Sequence, residues 1–229
     1  MSMLSERLRA AELMDDPALD PGTYQAVLGD LARVNRLTLA YRPTLAFLRR
    51  AVGERRRFSL LDVGFGDGDM LRKIDTWARK RGIEAHLTGI DLNPRSKVIA
   101  ETKPSPQPIT YLSGDYASLA GRGFDYVISS LVAHHMSEEE LTTFVGFMES
   151  EARLGWFVND LHRHVFAYNA WPLLATLMGW HRIVRLDGRT SIGRSFRAAE
   201  WQALLAREGI VEAEVQHRFP FRLCVERLR

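Results

Sequence analysis

The chain has 229 residues, of which 46% are hydrophobic and 26% are charged. This is the composition of an average soluble globular protein, and it excludes disordered, collagenous and fibrous chains. The length suits one domain, or one domain with a modest appendage. The 31 Lys and Arg residues against 28 Asp and Glu residues leave a net charge of +3, too small for a polybasic nucleic-acid-binding protein. The one cysteine, Cys224, excludes an intramolecular disulfide and a multi-cysteine zinc site.

The sequence predicts neither a signal peptide nor a membrane-spanning helix. Its first twenty residues are rich in charged side chains and lack a long apolar stretch. The most apolar window, Val165 to Trp180, contains Asn169 and Pro172 and is shorter than the ~20 residues that span a bilayer. We therefore expect a cytoplasmic protein without stable membrane insertion.

The first 57 residues are predicted to be helical. Leu45, Leu48 and Val52 recur at the spacing of one helix face, and Asp20-Pro21 is typical of a helix start. Pro43 is expected to divide the region into two helices. The charged run 54–57 predicts a solvated turn, so residues 1–57 are predicted to form a helical N-terminal cap.

From residue 58 onward, short apolar runs alternate with helical patterns, which is typical of βα units on a parallel sheet. The chain ends on two further strand-like runs, predicted to pair as a hairpin around Pro220. These features predict an α/β fold with a doubly wound, mostly parallel seven-stranded sheet and an antiparallel C-terminal hairpin. The predicted strands are 58–63, 86–91, 109–112, 124–129, 156–159, 211–219 and 221–227.

Helix signals lie between these strands. Asn93-Pro94 is a cap followed by a first helical residue, and Ser137 with Glu140 forms a capping box. Helices are also predicted at 69–80, closed by Gly82, and at 197–207. Residues 161–194 depart from the alternation, with an apolar stretch and then an Arg-rich loop. We predict that they form an inserted lid within a domain of residues 58–229.

A glycine-rich loop, Asp62-Val63-Gly64-Phe65-Gly66-Asp67-Gly68-Asp69, joins the first predicted strand to a helix. Glycines there let a ligand approach the backbone closely. A nicotinamide-binding fingerprint would need its third glycine at position 69, which is Asp69. Acids at both ends of the loop would repel a pyrophosphate and favour a cationic ligand with a free amino group.

Two more acids follow the next strands. Asp91 lies 29 residues after Asp62, the length of one βαβ unit, so both carboxylates are expected at the same sheet edge. An acid at this second position accepts hydrogen bonds from the two ribose hydroxyls of a bound ligand. Asp115 follows the third strand and could accept from the exocyclic amine of a base. Together the three acids predict a nucleoside ligand.

These motifs resemble the class I S-adenosylmethionine-dependent methyltransferases: DVGFGDG at 62–68, GID at 89–91, GD at 114–115 and FDYVISS at 124–130. The resemblance implies S-adenosylmethionine as cofactor and S-adenosylhomocysteine as product, without a metal. It implies that the glycine loop meets the methionine part, Asp91 holds the ribose and Asp115 reads the adenine amine. Phe65 occupies a place where a smaller or sulfur-bearing residue is common in that family. The implied cofactor-binding residues are Asp62, Gly64, Phe65, Gly66, Asp67, Gly68, Asp91, Leu92, Asp115, Tyr116 and Ser129.

A narrower resemblance rests on Leu13-Met14-Asp15-Asp16, Val34-Asn35-Arg36, His134-His135, Asn159-Asp160-Leu161 and 187–196. These segments resemble bacterial methyltransferases encoded beside type III polyketide synthases, which act on phenolic lipids, and more distantly the ubiquinone and menaquinone methyltransferases. The resemblance implies a small, apolar, phenolic or quinone-like acceptor, with methylation on oxygen favoured. It leaves the oligomeric state open, with a homodimer as one alternative.

Two histidines are the predicted catalytic residues. His134 and His135 follow the fourth strand at the edge where ligands bind, and an imidazole there could remove a phenolic proton. The alternative is that both are structural. Acceptor contacts are predicted for His162, His164, Tyr168, Trp171 and Arg194.

Other functions are weaker alternatives. His162 and His164 with Asp160 lack a further ligand at fixed spacing, so no metal is predicted. A nucleic-acid methyltransferase would carry an Asn/Asp-Pro-Pro-aromatic tetrad after the fourth strand, where Ser129-Ser130-Leu131-Val132 stands, and no nucleic-acid partner is predicted. A binding module that keeps the cofactor pocket without catalysis stays open.

Overall fold

The computed structural model describes residues 4–229. Its strands are β1 (Arg57–Val63), β2 (Glu84–Asp91), β3 (Thr110–Ser113), β4 (Phe124–Ser130), β5 (Ala152–Leu161), β6 (Glu214–Arg218) and β7 (Arg222–Leu228). Its helices are α1 (Pro21–Leu37), α2 (Tyr41–Val52), α3 (Asp69–Arg79), α4 (Pro94–Glu101), α5 (Glu138–Glu151), α6 (Val165–Leu177), α7 (Arg182–Arg194) and α8 (Ala198–Arg207). Short 3₁₀ turns lie at Leu13–Asp15, Tyr116–Leu119 and Ala133–His135.

The seven strands form one sheet in the order β3-β2-β1-β4-β5-β7-β6. The first five strands along the chain are parallel, whereas β7 pairs antiparallel with both β5 and β6. The predicted fold class is therefore confirmed. In the parallel register Val63 lies beside both Ile90 and Ser129, so the carboxyl ends of β1, β2 and β4 share one edge.

Helices cover both faces of the sheet. One core contains the fully buried Leu141, Phe144, Val145 and Met148 of α5, together with Trp201 of α8. These four α5 residues lie on one helix face, as their spacing predicts, behind the observed Ser137–Glu140 capping box. The other core contains residues of α2 and α3 packed on the opposite face. Burial on both faces explains why the central strands are almost continuously apolar.

The N-terminal region forms two helices, but they divide before the expected residue. Asp20 caps α1 by accepting a hydrogen bond from the Thr23 N–H. The break falls at residues 38–40, and Pro43 lies inside the first turn of α2, where a proline costs no intrahelical hydrogen bond. Of these two helices, only α1 lines a cavity at the carboxyl edge of the sheet. Helix α2 belongs to the core.

Residues 182–194 are not the loop that the sequence predicted. They form α7, whose inward positions include Val184, Asp187, Ser191 and Ile192, at helical spacing. Two of these positions are polar because they hold the N-terminal segment: the carboxylate of Asp187 accepts the backbone N–H groups of Leu13 and Met14. The polar inward positions hid the helical pattern. Within residues 4–229, no helix combines the length and apolarity needed to cross a membrane.

Candidate active site

A cavity of about 690 Å³ lies at the carboxyl edge of the sheet, within the usual size range of small-molecule sites. The ends of β1 and β2, with the glycine loop, form one end of it. Helices α1, α6 and α7 form the other walls, and the N-terminal segment contributes Glu12, Met14 and Asp15. One continuous space therefore joins the predicted cofactor residues to the predicted lid.

Asp91 holds the glycine loop in place. One carboxylate oxygen accepts the Gly66 N–H at 2.9 Å, and the other accepts the Asn93 N–H at 2.9 Å. Gly66 has φ +58°, and a Cβ built there would meet only Leu28, at 3.9 Å across the cavity. A Cβ at Gly64 would instead overlap Val132. Gly64 therefore permits close packing inside the protein, whereas Gly66 leaves its space open to a ligand.

Three carboxylates at this end of the cavity have raised pKa values. The pKa of Asp62 is raised well above its usual value by burial and by the nearby Asp69 and Asp91. Burial also raises the pKa of Asp69 and of Asp91. Asp62 is 1% exposed, and its Oδ1 has no hydrogen-bond partner among residues 4–229. A cationic ligand with N–H donors fits this arrangement, because it satisfies the orphan oxygen and offsets the repulsion.

The cavity wall includes eight of the eleven predicted cofactor residues: Asp62, Gly64, Phe65, Gly66, Asp67, Asp91, Leu92 and Tyr116. Leu92 is 75% exposed, so its side chain is available for apolar contact with a bound ligand.

Five predicted cofactor residues either have side chains engaged with other parts of the protein or lie outside the cavity wall. The ring of Phe65 packs on Tyr111 in the core, and the carboxylate of Asp67 pairs with Lys103 and Arg72. Gly68, Asp115 and Ser129 do not line the cavity. A Cβ at Gly68 would lie 2.5 Å from the Tyr111 hydroxyl. Asp115 is exposed and caps its own turn through the Ala117 N–H, and the Ser129 hydroxyl donates to Val63.

The two predicted catalytic histidines have different environments. His134 is 3% exposed, and its Nδ1 lies 2.7 Å from Asp160 Oδ1. Its Nε2 lies 3.5 Å from Glu12 Oε1, an ion-pair distance rather than a tight hydrogen bond. Burial lowers the pKa of His134, but the two carboxylates outweigh burial and raise the pKa to about 9. This imidazole is therefore held as a cation at neutral pH.

His135 is partly exposed to the cavity. Its Nδ1 lies 3.2 Å from Asp15 Oδ2, and its Nε2 lies 3.8 Å from Glu12 Oε2. The Ser191 hydroxyl donates to Glu12 at 2.8 Å, and the charge of His134 helps to lower the Glu12 pKa. A carboxylate on Nδ1 leaves the lone pair of Nε2 available for a proton.

Sequence reasoning missed both carboxylates beside His135. Glu12 and Asp15 lie at the short 3₁₀ turn Leu13–Asp15, more than a hundred residues before His135 along the chain. The donor atoms of Glu12, His134 and His135 all lie within 4.8 Å of one another. By contrast, Asp160 bonds to His134, and His162 lies beside His217 at 4.6 Å between ring centroids. Of the donors considered from the sequence, His162 and His164 are neighbours, with ring centroids 5.6 Å apart, whereas Asp160 is engaged with His134.

Only some of the residues predicted to contact the acceptor line the cavity. His162 and Trp171 line the cavity, whereas His164, Tyr168 and Arg194 do not. His164 caps α6 by accepting the Phe166 N–H, and Arg189 covers the ring of Tyr168. Arg194 is not available to an anionic substrate group, because its guanidinium donates to the carbonyls of Ala10, His134 and His135. It fixes the turn that carries the histidines.

Two further features of the wall were not predicted. Arg222 is 2% exposed, and its Nε and Nη1 have no partner among the described residues. Burial lowers its pKa. Leu131, directly after β4, has φ +62°, a conformation that is uncommon for leucine and occurs most often near functional sites. Neither feature has a sequence signal, because arginine at a strand start and leucine after a strand are common.

Comparisons with known proteins agree with this geometry. A family model described as a methyltransferase domain matches residues 60–150. None of the curated protein sequences matches the chain significantly.

Solved methyltransferase structures share the fold. The plantazolicin methyltransferase BpumL, in complex with a pentazolic desmethylPZN analogue and SAH, has a TM-score of 0.66 at 12% identity, covering 90% of this chain and 91% of that one. The magnesium protoporphyrin IX methyltransferase from Synechocystis PCC 6803 with bound SAM has a TM-score of 0.58 at 18% identity, covering 93% and 99%. Human N-acetylserotonin methyltransferase in complex with SAM has a TM-score of 0.64 at 14% identity, covering 92% and 56%.

The fold, the matched domain and the acidic end of the cavity together define the class of this protein. It is an S-adenosylmethionine-dependent methyltransferase. The acceptors in the names of these neighbours differ widely, so the acceptor has to be argued from the cavity of this chain.

Proposed function

We propose that the protein transfers a methyl group to a small, apolar, phenolic or quinone-like acceptor, with oxygen as the favoured target. The observation that carries this proposal is the shape and chemistry of the cavity. Beyond the acidic end, its walls are largely apolar, and they include His135, whose partly exposed ring is paired with the carboxylates of Asp15 and Glu12. The apolar lining includes Leu31, Met136, Trp171, Leu174 and Ile192.

The cofactor end has groups for each part of S-adenosylmethionine. Asp62 would accept from the amino group with its unpartnered oxygen, and Gly66 would leave room for the methionine part. Asp91 would accept hydrogen bonds from the ribose hydroxyls with the lone pairs that its two backbone hydrogen bonds leave free. Leu92 and Tyr116 would cover the adenine, whereas the Asp115 carboxylate caps its own turn outside the cavity. When bound, this cofactor supplies a methyl group on a positively charged sulfur.

His135 acts as the general base in this proposal. A phenol has a pKa near 10 and is mostly protonated at pH 7, so removing its proton makes it a better nucleophile. Nε2 of His135 takes the proton from the acceptor oxygen while Asp15 holds Nδ1–H. Glu12, 3.8 Å from Nε2, stabilises the imidazolium that forms. Such assistance typically contributes ~10²–10⁴-fold in rate.

His134 has a positioning role rather than a chemical one. Its imidazolium is fixed between Asp160 and Glu12, and its backbone N–H donates to Asp160 at 2.8 Å. It therefore orients Glu12 and the turn that carries His135. The narrower choice of phenolic lipids as acceptors rests on the sequence resemblance alone.

The test is transfer of labelled methyl groups from S-adenosylmethionine to a panel of phenols, quinols, amines and carboxylic acids, each with and without an alkyl chain. We expect transfer to alkylated phenols or quinols and no change on adding a chelator. His135→Ala is expected to lower kcat by more than ~10²-fold with cofactor affinity nearly unchanged. His86→Ala, on an exposed strand position away from the cavity, is the matched control.

Three outcomes would contradict parts of this proposal. Transfer only to amines or carboxylates would refute the acceptor class. A loss under about tenfold in His135→Ala would mean that alignment alone carries the catalysis. Cofactor binding without transfer to any acceptor would identify a binding module.

A further inference from the structure

Helix α6 is the most apolar helix of the chain, yet it is poorly buried. Residues 165–180 contain no charged side chain, but Ala167 and Ala175 are the only two of the 13 α6 residues that are buried. A helix that is apolar on all sides is ordinarily enclosed by protein or lipid. The outward face of α6 therefore lacks a partner among the described residues.

The tip of the β6–β7 hairpin extends this apolar surface. Phe219 is 85% exposed, and the ring of Phe221 lies 5.8 Å from that of Phe166, between centroids. We call the combined surface the mouth patch. Its members are exposed large apolar side chains: Val165, Phe166, Leu173, Leu174, Leu177, Met178, Phe219 and Phe221.

The mouth patch is continuous with the active-site cavity. Phe166, Leu174 and Phe221 both contribute exposed surface and line the cavity. A molecule entering between α6 and the hairpin would leave an apolar surface and arrive in an apolar chamber. The patch therefore borders the cavity and is not an unrelated part of the surface.

The charges around the mouth patch are positive. No Asp or Glu occurs from Leu161 to Leu186 or from His217 to Arg222. Arg182 and Arg218 are exposed, and Arg185 Nη1 lies 3.5 Å from Thr176 in the last turn of α6. None of the ion pairs within residues 4–229 uses these three arginines. Although α6 itself carries no charge, apolar side chains with neighbouring arginines that form no ion pair combine buried apolar area with attraction to anionic lipids, the two contributions to binding at a membrane interface.

We propose that the mouth patch docks on an anionic lipid surface, with α6 lying in the membrane interface and the cavity opening toward the lipid. A helix of 13 residues is about 20 Å long, which suits lying along the interface and is too short to cross the bilayer. One part of this proposal rests on the proposed function: that the apolar acceptor enters the cavity from the lipid. Docking itself is independent of the reaction.

The experiment is co-sedimentation of the full chain with vesicles of phosphatidylcholine alone or mixed with phosphatidylglycerol. We expect binding to the mixed vesicles that weakens with added salt. The double variant Leu173→Asp and Leu177→Asp, neither of which lines the cavity, is expected to bind at least tenfold more weakly. Val211→Asp is the matched control, since Val211 is also 85% exposed and precedes β6 at the opposite edge of the sheet. Circular dichroism checks that each variant is folded.

Absence of binding to both vesicle types, or equal loss in Val211→Asp, refutes docking through the mouth patch. A dimer in light scattering that dissociates in the double variant, without vesicle binding, assigns the patch to a second copy of this chain. Methyl transfer to a soluble short-chain acceptor is measured in parallel. If transfer persists while vesicle binding is absent, only the lipid proposal fails, and if binding occurs without transfer, only the proposed function fails.

Discussion

Replacing His134 with glutamine removes the cation that two buried carboxylates share. Asp160 and Glu12 are 3% and 5% exposed, so water cannot replace the imidazolium. Raising the pKa of His134 from 6.5 to about 9 corresponds to about 3 kcal/mol of native-state stabilisation. Removing one partner of a buried ion pair typically costs ~3–5 kcal/mol. We therefore expect His134→Gln to lower the free energy of unfolding by about 3 kcal/mol at pH 6.5.

The ion pairs of His134 with Asp160 and Glu12 also predict how the free energy of unfolding depends on pH. Because the folded pKa of His134 is above the unfolded value, its contribution is complete below pH 6.5 and is lost as the pH rises through about 9. The pKa of His162 is shifted the other way, to about 4, so its contribution changes only below pH 6.5. The raised pKa values of Asp62, Asp69 and Asp91 also make stability depend on pH, and His134→Gln keeps all three carboxylates, so the difference between the wild-type and variant profiles isolates the contribution of His134.

The assay is urea unfolding followed by tryptophan fluorescence at several pH values from 6.5 to about 9. The wild type is expected to lose stability as the pH rises, and His134→Gln is expected to show a much flatter profile. Adding Glu12→Gln to His134→Gln should recover part of the loss, because one of the two unpaired charges is then removed. A flat wild-type profile, or a loss below about 1 kcal/mol in His134→Gln, would refute the ion-pair argument.

Three further predictions concern the cofactor end and α6. Asp91→Ala should weaken S-adenosylhomocysteine binding at least tenfold to a hundredfold in calorimetry, since hydrogen bonds to a charged acceptor contribute roughly 1.5–3 kcal/mol each; unchanged affinity would contradict the ribose assignment. Gly66→Val should abolish binding in a folded protein, whereas Gly82→Val, with a similar φ of +65° and open surroundings, should bind normally; binding by both would mean that the loop is only a turn. Hydrogen exchange around Trp171 should slow when cofactor and product are added, and strong protection without them would assign that residue to a permanent core.

The cofactor end of the site could be predicted from sequence for a geometric reason. In a parallel sheet, the carboxyl ends of successive strands meet at one edge, so acids at the ends of strands identify neighbours in space. Asp62 and Asp91 follow this rule, and both line the cavity. The rule places the backbone only, which is why Asp67 and Ser129 were expected at the ligand but turn toward Lys103 and Val63.

The acceptor end depends on contacts between segments that are far apart along the chain. Glu12 reaches His134 because α7 holds the N-terminal segment through Asp187. The Arg194 guanidinium donates to the backbone carbonyls of His134 and His135 and is therefore not free to bind a substrate. Neither contact has a local pattern, because an ion pair depends on distance in space and not on spacing in sequence. The sequence by itself thus determined the sheet, the helix caps and the cofactor loop, which follow from local periodicity and backbone geometry. Only the tertiary structure decided which histidine is enclosed and which faces the cavity, since that depends on where the N-terminal segment packs.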